Sequence, residues 1–289
     1  MAMTTGEKWF QGFAVVLSAS LSLAMIYPFI HMISISLSTP AEALRPGIHL
    51  YPRELTLDAY QKALTSNGMW YGFQNTIFRT VVGTFLSLVF MSMAAYPLSK
   101  KDLPDRNFFM MFIIMTMFFS GGLIPTYLLV KNLGLFDSRW VYVIPVLFNT
   151  FSLIILRNFF MEIPSELEDS AKIDGANDIR TLFSIVIPLS KPILATVGLW
   201  SAVMHWNAWF DALIYVQDQS KVVLQVFIRR LIVENQDLEI MKMMDDQKSL
   251  NAETVKAAVL MVATLPILLL YPFLQKYFIQ GILVGSLKG

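Results

Sequence analysis

The sequence predicts an all-α integral membrane protein with six transmembrane helices, and three observations carry that expectation. Of 289 residues, 55% are hydrophobic and 15% are charged, against about 25% charged in soluble domains. The mean hydropathy is +0.56. Six stretches, 10–36, 73–98, 107–130, 139–160, 185–214 and 255–275, are mostly apolar and long enough to supply the roughly 20 residues that cross some 30 Å of hydrocarbon. The chain reads as one transmembrane domain over 1–289, with no visible internal repeat.

The first stretch follows Lys8 and stays apolar from Trp9 to about Ile35. It exceeds the roughly 7–15 apolar residues of a secretion signal and no small-residue cleavage site follows, so it reads as a permanent span. The second and third spans are joined by the short loop S-K-K-D-L-P-D-R at 99–106, and the third and fourth by 131–138. Asp102, Asp105 and Arg106 read as a solvated turn rather than a proton relay. The fifth stretch is the least regular, interrupted by Pro188, Lys191, Pro192 and Asp211. Long connections at 37–72, 161–184 and 215–254 separate the remaining pairs. Six spans put both termini on one side of the membrane. Basic residues nearly balance across the two sides, but short loops weigh most in orientation. The cluster Lys100, Lys101 and Arg106 therefore favours cytoplasmic termini.

Several functions are excluded or disfavoured at this level. A net charge of +1 without a basic stripe gives no reason to expect nucleic acid as a partner. The chain has no cysteine, which rules out disulfides and thiolate chemistry. His31, His49 and His205 lack paired ligand spacing, so no metal site is expected. No G-x-x-x-x-G-K-[ST] occurs, so no P-loop cradles a nucleotide here.

The most informative segment is polar: D-S-A-K-I-D-G-A-N-D-I-R-T-L-F-S-I-V-I-P-L-S-K-P, from Asp169 to Pro192. Just before it, Pro164 and S-E-L-E at 165–168 predict a capping box between Ser165 and Glu168. The helix should stop at Gly175 in a left-handed C-cap, and Asn177 should cap a second helix. Ile179, Leu182, Phe183 and Val186 fall on one stripe of that second helix, which Pro188 and Pro192 limit. The alternative is a solvated loop with incidental helical signals. The functional reading is a helix pair that docks in a partner's groove.

This segment resembles the "EAA" loop of binding-protein-dependent ABC importer permeases, E-A-A-x-x-D-G-A followed by F, I, P and P. The matching positions are Asp169, Ser170, Ala171, Asp174, Gly175, Ala176, Phe183, Ile187, Pro188 and Pro192. Asp169 replaces the usual glutamate and Ser170 the first alanine, so the carboxylate sits on a shorter arm. Y-P-R-E-L-T-L-D-A-Y, Asn75-Thr76 and the terminal G-I-L-V-G-S-L-K-G are similar to the carbohydrate-uptake branch, and within it to maltose-type permeases with a Lys-Gly tail.

The resemblance implies a type I importer permease fold with a cytoplasmic coupling loop at 161–184, in a bacterial inner membrane. It implies a second related permease, two ATP-binding subunits and an extracytoplasmic solute-binding protein as partners, besides membrane lipid. ATP and Mg would sit in the partner subunits, with no cofactor bound by this chain. Glu168 and the motif residues Asp169, Ser170, Ala171, Asp174, Gly175, Ala176 and Phe183 would couple to the ATPase. The tail from Gln280 to Gly289 would reach toward the same subunits. Such a subunit is passive, with no catalytic residue of its own.

Substrate-path candidates are Asn75 and Arg79 in the second span and Trp200, His205, Trp206, Asn207, Trp209 and Asp211 in the fifth. Aromatic faces beside hydrogen-bonding groups suit sugar rings. An aromatic belt at the membrane interface accounts equally for Trp209 and Asp211. Arg79 either marks a functional site inside the membrane, where an acidic sugar would be its natural ligand, or snorkels to the interface. Leu224, Phe227, Ile228, Leu231 and Ile232 form a helical apolar stripe. It can lie on the membrane surface, against a partner or within the subunit. An ion-coupled secondary transporter should show deep ionisable groups and inverted repeats, and an intramembrane enzyme a nucleophile–base pair or metal ligands; the sequence displays few or none of these.

Overall fold

The computed structural model describes residues 4–232 and 251–286, with backbone alone for 270–286. Leu287–Gly289, including the Lys-Gly end, lie outside the described residues, as do 233–250 of the last long loop. The described residues are helical apart from loops and one isolated antiparallel bridge, Ser38 with Leu55.

The main helices are α1 (Thr5–Ser36), α2 (Asp58–Thr65), α3 (Asn67–Ser99), α4 (Arg106–Phe118), α5 (Leu123–Asn132), α6 (Thr150–Phe160), α7 (Ser165–Ile173), α8 (the bent segment Asp178–Leu189), α9 (Lys191–Asn207), α10 (Phe210–Tyr215), α11 (Leu224–Ile232) and α12 (Ala252–Ser286). α1, α3 and α12 are each long and apolar enough to cross a membrane. Three bent pairs complete six crossings if each is one span: α4 with α5 (113°), Arg139–Val146 with α6 (52°), and α8 with α9 (86°).

The breaks have local causes. Gly121-Gly122 separate α4 from α5, and Gly122 has a φ of 84°, a conformation open to glycine. Pro145 lies in the 3-10 turns before α6. α8 is not one regular helix, because a π-type turn spans Leu182–Val186 and Pro188 and Pro192 follow. Within the fifth stretch the regular helix α9 begins at Lys191, and a second break at Ala208-Trp209 splits α9 from α10.

The chain divides into two compact units, 1–69 with 228–266, and 70–227 with 267–289. In the first, α1 has almost no buried side chain before Ser34. The loop after it is pinned by Ser36 Oγ and Tyr60 Oη at 2.8 Å. Buried Glu42 accepts from Arg45 at 3.1 Å and Arg53 at 3.4 Å.

The second unit holds two hydrophobic clusters. One joins Met91, Ala95 and Tyr96 of α3 with Leu153, Leu156 and Phe160 of α6 and Leu182 and Val186 of α8. The other joins Tyr142 and its neighbours with Ala212 and Tyr215 of α10 and Val222, Val223 and Val226. Leu224 and Phe227 of the amphipathic stripe are buried, so the start of that stripe packs within the subunit.

Candidate functional site

The polar segment forms the expected helix pair, with one correction at its start. α7 begins at Ser165 with Pro164 as N-cap, and no side chain caps it. The predicted capping box is absent because Glu168 turns inward instead. It is 6% exposed, accepts from Tyr96 Oη at 3.1 Å and forms an ion pair with Lys100 Nζ. Two charge-assisted bonds in a buried setting outweigh one bond to a solvated helix end.

At the other end Gly175 N–H donates to Lys172 O at 3.0 Å and Ala176 N–H to Ala171 O at 2.9 Å. This is a Schellman cap, and Gly175 has the positive φ of 79° it requires. Asn177 Oδ1 accepts from Arg180 N–H at 2.9 Å, capping α8 as its sequence predicts. Asp169, Ser170, Asp174 and Gly175 face outward, Ala171 faces inward, and Ala176 is half-buried. Outward too are Leu167, Ile173, Ile179 and Phe183. The stripe anticipated on α8 is therefore split: Leu182 and Val186 enter the core while Ile179 and Phe183 stay free.

The span candidates separate into two groups. Arg79 is 1% exposed and points at Asp211, with Nη2 to Oδ2 at 2.7 Å and Nη1 to Oδ1 at 3.1 Å. Its Nη1 also donates to Ala208 O at 3.1 Å, and the guanidinium lies 4.8 Å from the Tyr142 ring centre. Arg79 is thus enclosed within the subunit, with its charge met by Asp211. Asp211 in turn accepts from its neighbour Ala212 N–H at 2.8 Å at the start of α10. The pair thus holds the α9–α10 break, satisfying a carbonyl on one side and an N–H on the other.

One turn away, Asn75 Nδ2 donates to Ser220 O at 2.9 Å and Val222 O at 3.0 Å. Thr76 Oγ1 accepts from Leu224 N–H at 2.9 Å. Gly72 lets the Leu224 backbone approach: an added Cβ would stand 2.9 Å from Leu224 Cα. Asn75, Arg79 and Asp211 thereby tie α3 to residues 208–224. His205 and Trp206 are also buried, His205 against Gly83 and Trp206 edge-on to Phe73 at 6.4 Å.

Trp200 belongs to a different place. It lines a cavity of about 300 Å³ with Ser87, Asn149, Phe151, Ser152 and Ser201, and its ring lies 6.1 Å from that of Phe151 at 31°. Asn207 is exposed, and Trp209 packs edge-on to Phe210 at 5.7 Å. Sequence reasoning missed Ser87, Asn149 and Phe151, which sit in the second and fourth spans with no local signal beyond a polar or aromatic residue in an apolar run. It also read Lys100 only as an orientation marker.

Outside the spans, the segment before Arg139 and the segment after α10 are locked together. Asp137, in a left-handed conformation with φ 53°, accepts at Oδ1 from Gln217 N–H at 3.1 Å and Asp218 N–H at 3.0 Å. Lys221 Nζ reaches Asp137 O at 2.8 Å and Oδ2 at 3.2 Å. The Asp218 N–H, then Gln217 N–H and Lys221, hold the Asp137 carboxyl below its usual range, and Asp137 in turn raises Lys221.

Long apolar helices, three bent pairs that can each make one span, and an exposed polar helix pair are the features of a multi-pass membrane protein. Residues 8–284 match the family described as "Binding-protein-dependent transport system inner membrane component", and the chain belongs to that family. It is 43% identical over 269 residues to the polygalacturonan/rhamnogalacturonan transport system permease protein YtcP of Bacillus subtilis, covering 93% of this chain and 94% of that one. It is 44% identical to protein LplC of the same organism over 265 residues, 91% and 90% of the two chains. Its fold matches a chain from the crystal structure of a bacterial ABC transporter involved in the import of the acidic polysaccharide alginate, with TM-score 0.91, 35% identity, and 96% and 99% coverage. The chain therefore has the type I ABC importer permease fold and is a translocation subunit rather than an enzyme. Permeases of this family work with a partner ATPase and a substrate-binding protein.

Proposed function

We propose that this chain is one of two related permease subunits that together carry an acidic oligosaccharide across a bacterial inner membrane, both termini cytoplasmic. Two ATP-binding subunits supply the energy, and an extracytoplasmic binding protein delivers the sugar. The observation that carries the reading is the helix pair α7–α8: a rigid Schellman corner presenting Leu167, Ile173, Ile179 and Phe183 on an otherwise polar segment. Exposed apolar groups rimmed by polar ones mark a docking surface, and a helix laid in a groove is an economical way to receive movement. Asp169, Ser170, Asp174 and Gly175 lie on the side available to the ATPase.

Support for the substrate class comes from relatives whose names specify polygalacturonan, rhamnogalacturonan and alginate transport. Within the chain, the cavity at Trp200 and Phe151 offers aromatic faces for sugar C–H groups, with hydroxyls of Ser87, Ser152 and Ser201 at its edge. The sugar's carboxylate does not meet Arg79, whose charge is already matched by Asp211.

The test is to purify the chain with its partners and measure hydrolysis and uptake across acidic and neutral oligosaccharides. Co-purification of an ATPase, with hydrolysis stimulated by uronate oligomers above neutral ones, is expected. A chain that transports without any ATPase, driven by an ion gradient, would overturn the reading. Equal stimulation by neutral sugars would overturn the acidic substrate class alone.

A further inference from the structure

The buried partners of Glu168 carry an inference beyond the docking of α7. A single carboxylate oxygen, Oε2, takes both Tyr96 Oη and Lys100 Nζ. Tyr96 precedes Pro97 in the last turn of α3, and Lys100 directly follows the helix end at Ser99. Proline has no N–H to offer the preceding turn, so the helix is soft there. The Glu168 carboxylate grips the helix end just beyond that soft point. The missing bond would run from Pro97 N to Met93 O, and the contact ties α7 to the end of α3 that follows it.

α3 is otherwise one continuous helix, and its far part is tied just as firmly. Arg79 holds Ala208 and Asp211; Asn75 and Thr76 hold Ser220, Val222 and Leu224. From Arg79 to Ser99 the axis runs about 30 Å at ~1.5 Å per residue, the thickness of the hydrocarbon core.

We propose that Glu168 is a positioning residue, through which movement of the coupling helix is passed to α3 and along it to the segment 208–224 at the other end. The proposal rests on α7 being the ATPase-facing helix and deepens that reading. Glu168 itself faces its own subunit, so its role differs from that of the exposed Asp169 and Asp174. With the tie intact, α7 and α3 move as one body. Without it, α7 can still follow the ATPase while α3 and the segment 208–224 stay in place.

The experiment uses the assembled transporter with Lys100→Glu, Glu168→Lys, both together, and Tyr96→Phe. The quantities read are the ATPase retained and the ratio of substrate-stimulated to unstimulated hydrolysis. Each single charge reversal should retain the ATPase and lower the ratio roughly tenfold, within the usual range of coupling between sites. The double reversal should recover most of it. Tyr96→Phe, which keeps the Lys100 ion pair, should lower the ratio with the ATPase retained, a readout that a purely structural tie would not move. Wild-type ratios in the single reversals or in Tyr96→Phe, or no recovery in the double, would overturn the proposal. Loss of the ATPase from the single reversals would assign Glu168 to the partner's groove, sinking this inference while leaving the proposed function intact. Absence of an ATPase from the unaltered complex would sink both.

Discussion

Arg79 and Asp211 meet through both arms of the guanidinium, at 2.7 and 3.1 Å, with Arg79 almost wholly buried. The pair closes the α9–α10 break against α3. Removing one partner leaves an uncompensated charge in a low-dielectric site, at a cost of about 3–5 kcal/mol. Asp211→Ala should therefore lower the thermal midpoint in detergent sharply. Arg79→Met combined with Asp211→Leu should be milder than Asp211→Ala alone, and a double variant as unstable as the sum of its parts would show that charge pairing is not what holds the break.

Gly83 and His205 form a second close approach in the same unit. A Cβ on Gly83 would stand 2.6 Å from the imidazole, so Gly83→Ala should cost about 1–3 kcal/mol through overpacking. The cost should shrink in a His205→Ala background, because the obstructing ring is gone. A thermal-unfolding double-mutant cycle measures the difference, and strict additivity would contradict the contact.

Gly175 closes α7 with a φ of 79°, which costs a residue with a Cβ about 1–2 kcal/mol. Gly175→Asn should keep more substrate-stimulated hydrolysis than Gly175→Ala, since asparagine tolerates the left-handed C-cap better. Gly175→Glu should abolish stimulation with the chain still in the membrane. Full stimulation in that variant would separate the corner from docking.

The lock of Asp137, Asp218 and Lys221 predicts a pH dependence outside the membrane. The Asp137 carboxyl is held below its ordinary value of 3.8 by backbone N–H donors. Its stabilisation is thus present above that value and is lost as pH falls through the lower folded one. Lys221 is raised above 10.5, so its contribution persists below that value and is lost only as pH rises through the still higher folded one. Hydrogen exchange at Gln217 and Asp218 should stay protected from about pH 5 to 9 after correction for intrinsic rates. Asp137→Asn should weaken that protection at neutral pH; unchanged protection would assign the lock to other contacts.

Because the chain has no cysteine, introduced thiols report access without background. Ser201→Cys, in the Trp200 cavity, should react with a small thiol reagent and be slowed by transported sugar. His205→Cys, at a buried position, should react far more slowly. Equal rates, or no protection of Ser201→Cys by sugar, would remove the cavity from the path.

How much of this was legible follows from where the signals lie. The helical class, the long spans, the Gly175 corner and the Asn177 cap are local properties of the chain. Hydrophobic length, glycine's free φ and a side chain bonding its own backbone depend on residues within a few positions. The bends at Gly122 and Pro188 carried local marks too, although their angles did not.

The roles of single polar residues were not local. Glu168 has the right spacing for a capping box with Ser165, and from α7 alone that is its best bond. Tyr96 and Lys100, some seventy positions earlier, offered a stronger one once the chain had folded. Arg79 shows the same dependence: an arginine in an apolar run is a sign of function until Asp211, 132 positions away, is seen to neutralise it. The family and the helix pair around Gly175 were thus readable from contiguous residues. Which charges stay exposed and which are spent inside the subunit is decided by packing, because a buried charge takes its partner from whatever segment the fold brings within about 3 Å.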